Sequence, residues 1–141
     1  MQFLLFAGHL SSPGSLRKGD IYTHMYHYSS TIIDTQKSLP VIDSAVLDAR
    51  RRGVHFDIGH GQGSFNWKVA EACAEQGFWP DSISTDLHQG SIHGPAYDLP
   101  TVMSKLLHIG MPLYDVIKAV TITPATMIRK EHLIGSLSPG W

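Results

Sequence analysis

A single cysteine, Cys73, in a chain of 141 residues excludes a disulfide framework within the chain and fits a reducing, cytoplasmic setting. Its place in the helical run Lys68-Val-Ala-Glu-Ala-Cys-Ala-Glu makes it a packing residue. Long apolar runs are also missing: no stretch approaches the roughly 18 residues of a membrane span, so the chain is expected to be soluble and without a membrane partner. The opening Met1-Gln-Phe-Leu-Leu-Phe-Ala-Gly lacks a basic leader and a cleavage site, which makes it a buried strand rather than a signal peptide. Excess charge of either sign is absent, with 11 Lys and Arg against 12 Asp and Glu and no run of five like charges, so no electrostatic footprint for nucleic acid exists. The glycines of Gly59-His-Gly-Gln-Gly-Ser64 follow a strand and precede a helix, but they form neither G-x-G-x-x-G nor a loop with a phosphate-binding lysine.

The elements that are present alternate. Phe3 to Ala7 is a short apolar run of the buried parallel type, followed by the breakers Gly8, Ser11, Ser12, Pro13 and Gly14. Gly19 to His24 predicts a turn entering a strand, and Met25 to Leu39 a long polar loop. Pro40 opens a helical pattern with Val41, Ala45, Val46 and Ala49 on one face, Arg50, Arg51 and Arg52 in its last turn and Gly53 as its stop. Those arginines read as a solvated end matched to the helix dipole before they read as a phosphate site. Val54 to Ile58 is the next strand, Asn66 to Gln76 a helix stopped by Gly77, and Ser82 to Asp86 another strand. Asp98 caps a helix to about Ile109, with Pro100 in its first turn; a further helix begins near Pro112 and restarts at Thr123-Pro124 toward Ile128. Strand, loop and helix repeated three or four times predict an α/β fold with a parallel sheet, either part of a barrel or an open doubly wound sheet.

Chemistry gathers at three strand ends. His24, His60 and Asp86 are separated by 36 and 26 residues, near the roughly 31 expected if about 250 residues are shared by eight barrel units. Imidazole nitrogen and carboxylate oxygen both suit zinc, and a zinc-bound water with a pKa near 7 attacks amides and esters. Asp86 can ligate the metal and accept the water's proton, or simply cap the segment that follows. His24 is the metal candidate; His27 makes an H-x-x-H spacing with it, but residues three apart on a strand face opposite ways. His60, between two glycines, is open to metal binding and to substrate hydrogen bonding alike. His88, two residues beyond Asp86, falls on its face, with a polar loop role as the plainer reading, which His93 shares. His55, His108 and His132 carry no expected chemistry.

Four ordered motifs, Gly19-Asp-Ile-Tyr-Thr-His24, Phe56-Asp-Ile-Gly-His-Gly-Gln-Gly-Ser-Phe65, Ser82-Ile-Ser-Thr-Asp-Leu-His88 and Asp98-Leu-Pro-Thr-Val-Met-Ser-Lys-Leu-Leu107, together resemble the amidohydrolase superfamily in its dihydroorotase-like, metal-dependent deacetylase branch. The resemblance runs from about residue 17 to the C-terminus. It implies the C-terminal half of a TIM-type (β/α)8 barrel, about the last four units over residues 1–141. It also implies one or two zinc ions and hydrolysis of a small N-acyl or O-acyl substrate, such as an acylated amino or hydroxy acid. Carried over, the motif histidine makes His24 a metal ligand and the motif aspartate makes Asp86 the metal-linked proton shuttle. His60 becomes a substrate contact; His88, from its place two residues beyond Asp86, is the second substrate-binding candidate.

The same resemblance brings expectations of incompleteness. The branch carries an H-x-H pair and a bridging lysine, and this chain has no H-x-H. A further metal histidine precedes the Gly-Asp-Ile motif there, and His9 is the residue nearest that place. Ile134-Gly-Ser-Leu-Ser-Pro-Gly resembles the lead into a small β-sandwich, with Trp141 the last residue. The zinc site is therefore expected to be incomplete and the chain to act as a homo-oligomer or with a missing N-terminal half. The alternative is a non-catalytic half-barrel that associates with itself or complements another segment.

Overall fold

The computed structural model describes residues 4–6, 15–29, 32–34, 40–137 and 139. Three short parallel strands, β1 (Leu4–Phe6), β2 (Ile21–Thr23) and β5 (His55–Phe56), form a sheet in sequence order. Leu4 pairs with Ile21 and Tyr22 with Phe56. The sheet continues beyond β5 through a parallel bridge from Asp57 to Ser82. The helix α1 (Ser44–Arg51) lies between β2 and β5, and α2 (Trp67–Glu75) between β5 and that bridge. After the loop at 87–98 come α3 (Leu99–His108), α4 (Leu113–Val120) and α5 (Ile122–Met127). The α/β class expected from the sequence is the one the chain adopts. His9 and Trp141, and the breakers at 8–14, lie outside the described residues.

Local chemistry sets the helix starts. The side chains of Asp43, Asn66 and Asp98 accept hydrogen bonds from the backbone N–H of Ala45, Val69 and Thr101, satisfying donors that a first helical turn leaves without partners. The first helix begins at Ser44 and not at Pro40, because Val41–Ile42 (β4) instead pairs antiparallel with Ile33–Asp34 (β3). The segment from Ser82 to Asp86 also departs from a regular strand. Ser82, Ser84 and Thr85 carbonyls accept from Ile58, His60 and Gly61, but the Ile83 N–H turns away to the Ala119 carbonyl on α4.

Apolar side chains from every layer close the core: Tyr22, Phe56 and Ile58 from the sheet region, Val46 and Ala49 from α1, Ala70 and Cys73 from α2, Val102 and Leu106 from α3, and Val116 from α4. Cys73 is fully buried, and burial pushes its thiol up to about 12, so it packs and does not react. The three arginines divide. Arg51 and Arg52 pair with Asp48 on the surface at 2.8 and 2.9 Å, as a solvated helix end would. Arg50 turns inward, donates to the Trp79 carbonyl at 2.7 Å and lies 3.9 Å over the Phe78 ring. Among the described residues no helix is long and apolar enough to cross a membrane.

Candidate functional site

The C-terminal ends of β2 and β5 and the segment at 82–85 meet at one rim, tied beneath by Asp57. This buried carboxylate accepts from the hydroxyls of Thr23 at 2.7 Å, Ser84 at 2.7 Å and Ser82 at 2.6 Å, joining three adjacent chain segments. A buried carboxylate is tolerable when hydroxyl donors replace its water, and three short charge-assisted bonds do so here. Ser84 Oγ also accepts from the Gly59 N–H at 3.1 Å, so the network extends to the next loop.

Above the network lie His24 and Asp86. His24 Nδ1 is 2.6 Å from the Gly59 carbonyl oxygen. A carbonyl only accepts, so Nδ1 carries the proton and Nε2 is the nitrogen with the in-plane lone pair. That Nε2 faces Asp86 Oδ2 at 4.0 Å. The His24 side chain is 13% exposed and that of Asp86 52%, so the pair opens at the surface of the rim. Both residues have left-handed backbone, with φ of 59° and 46°, as do the intervening Gly59 and Gly61 at 51° and 49°. A side chain at Gly59 would overlap Thr23 Oγ1 and come within 2.6 Å of His24 Nδ1. One at Gly61 would stand 2.9 Å from Asp86 Oδ2. The glycines on either side of His60 thus make the space that the two candidate ligands occupy.

His60 itself is buried, 1% exposed, and stacked on Phe65 at 4.8 Å. Its Nδ1 bonds the Gly61 carbonyl at 2.9 Å and its Nε2 the Lys105 ammonium at 2.7 Å. The first fixes the proton on Nδ1 and the second fills the remaining lone pair, so both ring nitrogens are engaged by the protein. Burial, and then the Lys105 charge, hold its pKa below the ordinary 6.5, which keeps the ring neutral. Lys105 carries no local sequence signal for this role, because the partner that defines it, His60, lies 45 positions away.

His88 lies with the site: its Nε2 is 3.8 Å from where a Gly61 side chain would begin, and its Nδ1 accepts from the Gly90 N–H at 3.1 Å. His27 instead closes a local turn, its Nδ1 2.7 Å from the Ser29 hydroxyl. His93 is exposed in the loop, and His108 packs edge-on against Trp67 at 5.9 Å. His24, Asp86, His88 and the glycines around His60 therefore share one mouth. Among the described residues no group of three or more His, Cys, Asp or Glu side chains gathers as a metal cage.

No protein-family model matches the chain. A deacetylase of Brucella anthropi is 43% identical over 116 residues, covering 81% of this chain and 28% of the relative. Among solved structures, an adenine deaminase superposes with a TM-score of 0.82 at 36% identity, over 91% of this chain and 34% of the other. A dihydroorotase gives 0.77 at 38% identity, over 92% and 36%. On these likenesses, with the motifs at the rim, the chain belongs to the amidohydrolase superfamily. It spans about a quarter to a third of the length of the proteins it matches.

Proposed function

We propose that the chain supplies part of the catalytic rim of a zinc-dependent hydrolase that cleaves an amide or ester bond in a small N-acyl or O-acyl substrate. The supporting observation is the His24–Asp86 pair. A carbonyl fixes the tautomer that turns His24 Nε2 outward, and a carboxylate oxygen faces it 4.0 Å away. The carbonyl behind the imidazole is the partner that metal-ligating histidines commonly have. His24 and Asp86 would hold the ion, with the remaining ligands supplied from outside this cluster. Zinc, when bound, supplies a nucleophilic hydroxide near neutral pH and polarises the scissile carbonyl.

Asp86 accepts the proton released during attack and returns it to the leaving group, a role its exposed carboxylate can reach. His88 borders the same mouth and contacts the substrate. His60 shapes the substrate pocket from beneath through its two backbone glycines. In this reading the sheet is the C-terminal portion of a TIM-type barrel, the protein is cytoplasmic, and the chain by itself turns over little substrate until the other ligands are present.

Elemental analysis of zinc-reconstituted protein tests the assignment. Bound zinc should fall by at least half in His24→Ala while the circular dichroism spectrum is retained. Equal zinc in the variant removes His24 from the ligand set, and absence of hydrolysis across N-acetyl amino acids and aryl acetates after the metal-loaded chain is combined with the segment carrying the remaining ligands sinks the hydrolase reading.

A second reading, a non-catalytic chain that associates with itself or with a complementary segment, is favoured by the exposed apolar side chains Leu113, Tyr114 and Ile117 on α4. A concentration-dependent oligomer without metal or turnover would select it.

A further inference from the structure

Lys105 is an ammonium without a carboxylate. Its Nζ donates to His60 Nε2 at 2.7 Å and to the Pro95 carbonyl at 2.8 Å, and lies 5.4 Å from the Phe65 ring centroid and 6.0 Å from that of Trp67. None of these partners carries a negative charge, and no acidic side chain among the described residues pairs with it. The group is partly withdrawn from water, which lowers its pKa, and a half-buried cation with only neutral partners is costly to keep. An ammonium has three donors; two are accounted for.

Its place on the helix sets which way it leans. Side chains on a helix lean toward its N-terminus, so Lys105 leans toward the loop 87–98 that descends from Asp86, and it meets that loop at Pro95. The imidazole it holds is flanked by Gly59, whose carbonyl orients His24, and by Gly61, against which Asp86 packs. The ammonium therefore stands behind the loop that carries His60 between Gly59 and Gly61, fixed on two sides and close to two aromatic rings.

We propose that Lys105 is the anion-binding residue of this site, taking a carboxylate of the substrate, and that His60 is a positioning residue that holds the ammonium in place. The proposal rests on the hydrolase reading for the identity of the substrate, but its test does not depend on turnover. The probe is 4-oxopentanoate, an N-acetylglycine analogue in which a methylene replaces the scissile nitrogen; the control is the uncharged 4-oxopentanamide.

Ligand-observed NMR titration should show the acid binding at least about tenfold more tightly than the amide, a difference within reach of one charge-assisted contact. Lys105→Met should bring the acid to the level of the amide, and Lys105→Arg should keep the preference. His60→Phe should weaken binding of the acid by a larger factor than binding of the amide, which general loss of structure would not do. Equal affinity of the unaltered protein for acid and amide, or no binding of either, overturns the proposal without any variant. A preference that survives in Lys105→Met overturns it as well. A protein that prefers the acid but hydrolyses no acyl substrate even with the segment carrying the remaining ligands supplied would retain the Lys105 assignment and lose the hydrolase one.

Discussion

Replacing Asp57 by alanine removes the one acceptor shared by Thr23, Ser82 and Ser84. Hydrogen bonds to a charged group contribute about 1.5–3 kcal/mol each, so three lost bonds represent at least about 4.5 kcal/mol. Part returns, because the variant no longer holds a carboxylate away from water, and the deleted partner leaves three hydroxyls that can turn toward one another. The net loss should be about 3–5 kcal/mol, the range found when one member of a buried polar cluster is deleted. With a urea dependence near 2 kcal/mol/M, that lowers the unfolding midpoint by about 1.5–2.5 M. Asp57→Asn keeps one acceptor oxygen and should lose about 1–2 kcal/mol. Urea unfolding followed by circular dichroism measures both. A midpoint shift below about 0.5 M for Asp57→Ala, at unchanged slope, would refute the idea that this carboxylate ties the three segments together. Because Ser84 also holds Gly59, whose carbonyl orients His24, Asp57→Asn should weaken zinc binding by about 10- to 100-fold as well.

With the segment carrying the remaining ligands supplied, Asp86→Asn should lower kcat of the metal-loaded protein by at least about a hundredfold with substrate still bound, and near-normal turnover would exclude Asp86 as the proton acceptor. Gly59→Ala places a methyl against Thr23 and His24 at a positive φ and should cost about 2 kcal/mol or more in urea unfolding. Gly61→Ala carries the same positive-φ strain, but its methyl meets only side-chain ends, Asp86 Oδ2 at 2.9 Å and His88 Nε2 at 3.8 Å, so it should cost less stability than Gly59→Ala while reducing turnover. His60 has a folded pKa below its unfolded 6.5, so the unfolded chain binds the extra proton. Its contribution is present above about pH 6.5 and lost as pH falls through the folded value; His60→Gln should flatten the decline in urea midpoint between pH 7.5 and 5.5.

The helices at Trp67–Glu75 and Leu99–His108 were legible because their signals are local: a following glycine for both and a capping Asp98 for the second, while Asn66, read as the first helical residue, proves to be the cap of the first. The start of α1 was not, since Val41–Ile42 is recruited by pairing with Ile33–Asp34, a contact that no capping or periodicity rule sees. His24 and Asp86 were legible from their places at strand ends and His88 only from standing two residues beyond Asp86; the fold brings the three to one mouth. Asp57 was passed over, although an aspartate between Phe56 and Ile58 in an apolar run is itself a sign of a buried partner set. The role of Lys105 depends on a histidine 45 positions away, and such a pairing has no trace in either local pattern.

The left-handed backbone at His24 and Asp86 filters which sequences can drift through this rim. Outside glycine, that conformation is entered most readily by Asn, Asp and His, while β-branched residues are nearly shut out. Two of those three residue types are zinc ligands. The main chain and the chemistry therefore select from overlapping alphabets, and most single replacements at either position meet both barriers together. Asparagine is the exception: it satisfies the backbone while giving up the charge or the imidazole. A saturation library sorted first for folding and then for zinc should enrich Asn at positions 24 and 86 in the first sort and deplete it in the second.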